Sequence, residues 1–264
     1  MLTTKTALEV VRLAKPASYL AFLFRELHPL MVAGVKTAEI DRYCELFLAD
    51  RRMRATHHGY RGFPASACIS VNAVAAHGLP GAYRLQDGDV VTVDVGAGYA
   101  GWKADAAWTY AVGTPGPELR RLLRAAWNSC LAGVRACRPG RRVGDVGAAV
   151  QRTAAQYGCT VVAEFIGHGI GRAVHEPPAV PNVGRDGGGE EIVPGMVLNI
   201  EPVVSLGRPD VKLLPDGWSY ATCDGSPTAQ YEHTVAVFAA RNRVLTLPGL
   251  DDQDAAAIDF PPFY

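Results

Sequence analysis

The sequence predicts an α+β fold assembled from two similar halves, and three observations point there. Helical and strand-rich stretches follow one another as helices, strands, helices, strands along 264 residues. Two short motifs recur in the same order: "GVKTAEI" at 34–40 matches "GRRVGDV" at 140–146, and "GDVVTVD" at 88–94 matches "GMVLNIE" at 195–201, with offsets of 106 and 107. Carboxylates, finally, interrupt apolar strand-like sequence at Asp94, Asp105, Glu201 and Glu232. The expected organisation is one domain over 1–264, with halves at about 5–112 and 116–246 and a tail at 247–264. Because the second repeat aligns Asp94 with Glu201, a pseudo-twofold axis would bring the two acidic strands face to face.

The elements follow in order. Residues 4–28 have helical composition, and Pro16 is expected to break or kink that helix. In the next helix Thr37 is placed to cap, Glu39 and Asp41 suit the first turn, and Ile40, Tyr43, Cys44, Phe47 and Leu48 form one stripe. Strands are expected from about 56 to 112, then helices at 117–137 and 143–157. The second of these carries its stripe on Val146, Ala149, Val150, Thr153 and Tyr157, with Gly158 to end it. A second strand-rich stretch fills 160–246. Within it "RDGGGEE" at 185–191 reads as a mobile, exposed connection, and the tail "LDDQDAAAIDFPPFY" as a surface extension.

Composition narrows the function. Lysine plus arginine equals aspartate plus glutamate at 26 each, so no global field favours nucleic acid or an anionic membrane. The six cysteines form no CxxC pair, and the N-terminus has no secretory h-region, so reduced thiols and a cytoplasmic location are expected. The apolar run "YLAFLF" is far shorter than the roughly 20 residues a membrane span needs.

The stretch "VVTVDVGAGYAGWKADAAWTYAVG" reads as a hairpin. With Tyr99 and Ala100 as a two-residue loop between Gly98 and Gly101, Asp94 would stand directly opposite Asp105. Like charges so placed are destabilising, and aspartate is depleted from strands. Three explanations are open: a slipped register, a pair sharing a proton, or a cation between the carboxylates.

More polar residues occupy apolar surroundings in the second half. "EFIGHGIGRAVHEPP" sets His168 between glycines with His175 seven residues on; "VLNIEPV" holds Glu201 and "AQYEHTVAVF" holds Glu232. A lone glycine-flanked histidine is more often a loop residue than a ligand, but buried carboxylates are costly unless paired or bound to metal. Four carboxylates and one imidazole form an oxygen-rich set that excludes a thiolate zinc site and suits two divalent ions: Mn²⁺, Fe²⁺ or Co²⁺, with Zn²⁺ also possible. Four negative charges balance two such cations. Paired ions about 3.5–4 Å apart can polarise a carbonyl and lower the pKa of a water, the chemistry of amide hydrolysis.

In order and spacing, "AAHGLP", "DGDVVTVDVG", "GHGIGRAVHE", "PGMVLNIEP", "DGW" and "AQYEHTV" resemble the motifs of type I methionine aminopeptidases, over about residues 5–245. The resemblance is to the short form, with no zinc-finger extension and no large insertion between Glu201 and Glu232. It implies the pita-bread, creatinase-like fold, with a curved antiparallel sheet covered by helices. It also implies that Asp94 chelates one metal, Asp105 and Glu232 bridge both, and His168 and Glu201 complete the other. Glu201 would also act as general base, His77 would contact the scissile nitrogen, and His175 would hydrogen-bond the substrate carbonyl. Tyr60, Phe63, Cys68 and Trp218 would surround the first side chain, suiting a thioether against aromatic rings.

Three positions depart from the family pattern. His57 and Ala76 stand where cysteine is usual, and Val174 where phenylalanine is usual. A methylene in such a pocket changes discrimination by about 1–3 kcal/mol, so these changes bear on specificity. The implied activity is removal of an N-terminal methionine before a small residue by a monomer whose partner is the N-terminus of a peptide or nascent chain. The alternatives are a paralogue with another N-terminal residue or a specialised amide as substrate, and a non-catalytic binding protein on the same fold.

Overall fold

The computed structural model describes residues 3–247, so the expectation for the tail at 250–264 lies outside the described residues. Two helices, α1 (Ala7–Leu27) and α2 (Thr37–Asp50), precede β1 (Arg54–Ala55), β2 (Cys68–Val71), β3 (Val74–Ala76), β4 (Val90–Tyr99) and β5 (Trp102–Ala111). Two more, α3 (Pro117–Ala136) and α4 (Val143–Gln156), precede β6 (Thr160–Val161), β7 (Gly167–Gly169), β8 (Glu176–Val180), β9 (Val197–Ile200) and β10 (Val203–Ser205). The last strands are β11 (Val211–Leu213), β12 (Tyr220–Thr222), β13 (Thr228–Gln230), β14 (His233–Val237) and β15 (Asn242–Val244).

Helix α1 continues through Pro16 instead of breaking there. Its buried face, Leu13, Pro16, Ala17, Leu20, Leu23, Phe24 and Leu27, packs across the proline, and tertiary burial outweighs one missing hydrogen bond. Helix α2 starts one residue earlier than expected: Lys36 is the N-cap and its backbone N–H donates to the Glu39 carboxylate. Thr37 lies inside the helix, where its hydroxyl is bonded to Gly81. Of the expected stripe, Ile40, Cys44, Phe47 and Leu48 are buried and Tyr43 packs partly buried against them.

Strand pairing is antiparallel among the named strands. One sheet has the order β1-β4-β2 with β5 on β4, and another the order β15-β14-β9-β7-β8. Two three-stranded sheets, β13-β10-β6 and β11-β12-β3, complete the scaffold. Helix α1 covers β4 and β5, while α3 and α4 pack on each other and on second-half strands. One face of β4 and β5 supplies Val93, Val95, Ala104, Ala106, Trp108 and Tyr110 to the buried core. Trp108 meets Trp127 and Tyr231 there at centroid distances of 5.3 and 5.2 Å. By the period of two, Asp94 and Asp105 point to the other face.

The hairpin register differs from the expected one. Tyr99 pairs with Trp102, so the two-residue loop is Ala100–Gly101, and both have positive φ, at 48° and 82°. A type I′ turn demands that conformation at both central residues, which puts Gly101 inside the loop. Gly98 is an ordinary strand residue opposite Lys103. Asp105 therefore pairs with Gly96 and Asp94 with Ala107, which leaves the two aspartates diagonal neighbours on one face.

The loop at 185–191 is exposed but anchored. Gly187 N–H donates to Asp145 Oδ1 at 2.7 Å, the Gly188 carbonyl accepts from Gly144 N–H, and Arg142 reaches the Gly189 carbonyl. Its glycines approach the first turn of α4 so closely that a Cβ on Gly144 would stand 2.6 Å from the Gly188 oxygen. Positive φ at Gly187 and Gly189, and the 2.5 Å that would separate a Cβ on Gly189 from Val143, account for two of the three glycines.

Candidate metal centre

The four carboxylates arrive from four separate segments. Asp94 and Asp105 project from β4 and β5, Glu201 follows β9, and Glu232 precedes β14. Asp105 and Glu232 are almost fully buried, at 4% and 2% exposure. Two hydrogen bonds hold β5 against β14: Glu232 N–H donates to the Ala107 carbonyl at 2.9 Å, and the Thr234 hydroxyl donates to the Asp105 carbonyl at 2.8 Å.

Glycine explains how His168 enters this group. A Cβ on Gly167 would lie 2.1 Å from the Asn199 carbonyl oxygen, and one on Gly169 would lie 2.4 Å from that of Pro177. Only bare backbone passes between the neighbouring strands. The His168 Nδ1–H donates to the Gly169 carbonyl at 2.9 Å, so Nε2 carries the lone pair, 3.3 Å from Glu201 Oε1. Ligand atoms of Asp105, His168 and Glu232 lie within 4.8 Å of one another, as do those of His57, Asp94 and Asp105. Asp105 belongs to both groups.

Two observations show that this set fits divalent cations. Asp94 Oδ1 and Glu201 Oε1 are buried and have no hydrogen-bond partner, a costly arrangement unless a positive charge meets them. The charges also resist one another. Burial, opposed by His57, and repulsion from Asp105 bring Asp94 up to about 7; burial and then the neighbouring carboxylates hold Glu201 and Glu232 well above the usual range. Burial also pushes Asp105 upward, but the His57 charge and hydrogen bond carry it below its ordinary value. Carboxylates so placed ionise together only beside cations.

A cavity of about 240 Å³ is lined by His57, Asp94, Asp105, His168, Glu201 and Glu232 and by Tyr60, Phe63, Cys68, His77, His175 and Trp218. Every site residue expected from the sequence thus faces one space. Its far end is apolar: Phe63 and Trp218 meet edge to face at 5.3 Å, and Cys68 packs with Phe63 and Ala65. Cys68 pairs with Asp94 across β2 and β4, which sets the apolar end beside the carboxylates. At the mouth, His175 and Tyr60 are hydrogen-bonded between Nδ1 and the hydroxyl at 2.8 Å. His77 has a φ of 54° and packs edge-on against Phe165 at 5.4 Å. A second cavity of about 210 Å³ shares His77, Asp94, His175 and Glu201 and continues along Ala76, Phe165, Ile166 and Val203.

Sequence reading missed some supporting residues. Asn199 donates Nδ2–H to Glu232 Oε1 at 2.7 Å, and Thr234 ties β14 to β5. Both stand two residues from an acidic member of the site, so period-two alternation was the signal that could have found them. Arg61 also lines the cavity. His57, expected in the side-chain pocket, lines the cavity beside Cys68 and also brings its ring up to Asp94 and Asp105.

Buried carboxylates and an imidazole around a cavity, on two helix-covered strand systems, are the architecture of a metallopeptidase. The family model for metallopeptidase family M24 matches residues 9–239, and the chain belongs to that family, whose peptidases work with divalent metal ions. Among its relatives is a methionine aminopeptidase of Treponema pallidum, 44% identical over 250 residues, covering 94% of this chain and 97% of the relative. The crystal structure of methionine aminopeptidase from Rickettsia prowazekii superimposes with a TM-score of 0.92 at 32% identity, covering 94% of this chain and all of that one. An Xaa-Pro dipeptidase from Bacillus anthracis, at 23% identity and a TM-score of 0.73, covers 92% of this chain and 61% of its own, and shares the fold. The fold is the expected pita-bread type. Among the described residues, no helix is long and apolar enough to cross a membrane.

Proposed function

We propose that the protein is a dinuclear metal-dependent aminopeptidase that removes an N-terminal methionine preceding a small residue. The observation that carries this reading is the junction of carboxylates and apolar pocket within one 240 Å³ cavity. That volume falls below the roughly 300–1,000 Å³ of general small-molecule sites and suits a single side chain. The aromatic walls of Phe63 and Trp218 and the Cys68 sulfur suit a thioether. Relatives named methionine aminopeptidase over nearly the full chain support the same substrate.

Asp94 would hold one ion, Asp105 and Glu232 would be shared, and His168 and Glu201 would hold the other; cobalt, manganese, iron and zinc all suit the donors. When bound, such ions supply Lewis-acid polarisation of the carbonyl and a more acidic water. Glu201 would take the proton released by such a water on the carboxylate oxygen that does not face the ion. Because Tyr60 occupies His175 Nδ1, Nε2 remains to steady charge on the substrate carbonyl oxygen. His77, shared by both cavities, is placed to contact the scissile nitrogen, with the second residue in the 210 Å³ cavity.

We also read the chain as one catalytic domain made of two related halves, 5–112 and 116–246, each opening with a helix pair, and as a cytoplasmic monomer. Cys44, Cys68, Cys130, Cys137 and Cys159 are buried free thiols, in keeping with a reducing compartment. Sedimentation and cell fractionation test those two assignments. The function itself is tested by incubating metal-loaded protein with a Met-Ala peptide. Methionine release is expected, and no release with Mn²⁺, Fe²⁺, Co²⁺ or Zn²⁺ would overturn the reading.

A further inference from the structure

His57 lies between β1 and the short helical turn at Tyr60–Gly62, with its side chain only 12% exposed. Its Nε2 stands 3.4 Å from Asp105 Oδ2 and 3.8 Å from Asp94 Oδ1. The contact with Asp105 is a hydrogen bond, but a long one, since charged hydrogen bonds between such groups are about 2.7–2.9 Å. Two donors each ~2.1 Å from one cation lie ~3.0 Å apart at a right angle and ~3.6 Å apart at wider angles. The 3.4 Å separation falls within that range, and 3.8 Å corresponds to an angle of roughly 130° at such a cation.

The surroundings fix the ring in this orientation. Nδ1 faces Cys68 Sγ at 4.0 Å, which leaves Nε2 turned to the carboxylates. Gly96, opposite Asp105 in the hairpin, leaves room for the ring: a Cβ there would stand 3.2 Å from His57 Nε2, 3.2 Å from Asp105 Oδ1 and 2.0 Å from Thr56 Oγ1.

We propose that His57 is a sixth metal ligand, with Nε2 binding the ion held by Asp94 and Asp105. The inference rests on reading the site as a dinuclear centre. It gives each metal one imidazole, His57 on one side and His168 on the other, in place of a single histidine for the pair. Binding the ion displaces the His57 proton to solvent, so the donor is neutral and four carboxylates still balance two divalent ions. Added nitrogen favours zinc, iron and cobalt over manganese, which is better served by oxygen donors alone. His57 therefore acts on which metal the protein selects.

The test uses the full-length chain with ¹⁵N-labelled histidine, loaded with two equivalents of Co²⁺. Exchangeable imidazole N–H resonances strongly shifted by the metal are counted. Two are expected in the wild type and one in His57→Ala and His57→Gln, the survivor being lost in His168→Gln. Competition binding should also show that His57→Gln weakens zinc relative to manganese at least about tenfold, as loss of a ligand-side interaction does elsewhere. One shifted resonance in the wild type, or an unchanged zinc-to-manganese ratio, would overturn the sixth ligand while leaving the centre intact. Failure of the wild type to bind cobalt would overturn the dinuclear reading itself. The wild-type count decides even if a variant does not fold.

Discussion

The two faces of β4 and β5 share one backbone and obey opposite rules. On the core face Val93, Val95, Trp108 and Tyr110 gain from burial, and the Tyr110 hydroxyl donates to the Phe24 carbonyl at 2.7 Å. On the other face Asp94 and Asp105, one residue away from those neighbours, are burdened by burial, with Asp94 raised to about 7. The same strand pair is thus a structural element on one side and a strained receptor on the other. The lesson is that alternation lets a rigid, well-packed sheet carry a group of charges that the protein's own energetics disfavour.

The contrast can be broken most sharply on the acidic side. Glu201→Gln should cut kcat on a Met-Ala peptide by about 10²–10⁴-fold, the usual worth of a general base, while metal binding persists. A wild-type rate would place the base elsewhere. On the core face, Trp108→Ala should lower unfolding stability by about 3–5 kcal/mol through loss of its contacts with Trp127 and Tyr231. Denaturant unfolding of the chelated protein measures this, and the loss should be similar with and without metal.

The acidic face should behave in the reverse way. Metal at 100 times its dissociation constant should stabilise the wild type by about 2.7 kcal/mol, and chelation should remove that gain. Asp94→Asn should leave the chelated protein at least as stable as the wild type, since it deletes a repulsive charge, yet forfeit much of the stabilisation by metal. A core-like loss in the chelated variant would contradict the reading of this face.

A smaller effect lies outside both faces, on the segment that carries His175. Glu176 accepts from Lys5 Nζ at 2.8 Å, from Thr3 Oγ1 at 2.7 Å and from the backbone N–H groups of Arg172 and Ala173. Burial pushes this carboxyl up, but those donors outweigh it and hold it near 2, below its ordinary 4.5. Its contribution to stability is therefore complete above about 4.5 and disappears as the pH falls through about 2. Glu176→Gln should lower the melting temperature modestly at neutral pH, and the difference from wild type should shrink on acidification across that window.

Much of this was legible in the residues. Four carboxylates in apolar strands announced a charged centre, and the motif spacing named the residues that line one cavity. What stayed hidden depended on geometry that sequence does not encode locally. Gly98 and Gly101 look alike as turn flanks, and only the positive φ at Ala100 and Gly101 sets the register. Pro16 reads as a breaker because its rescue comes from a buried face formed with distant strands. His57 approaches β4 and β5 beside Gly96, 39 positions further along, where a Cβ would collide with Thr56 at 2.0 Å and crowd the His57 ring at 3.2 Å. The glycines at 187–189 suggested freedom, whereas the hydrogen bonds of Gly187 and Gly188 to the first turn of α4 tie the loop down.

The most direct test of the central claim joins metal content to chemistry. Protein stripped with chelator would be titrated with Co²⁺ while bound metal and methionine release from a Met-Ala peptide are followed together. Binding of two ions per chain is expected, with release absent before metal is added and restored by it. Release that survives complete stripping, or a protein that takes up no metal, would contradict the account.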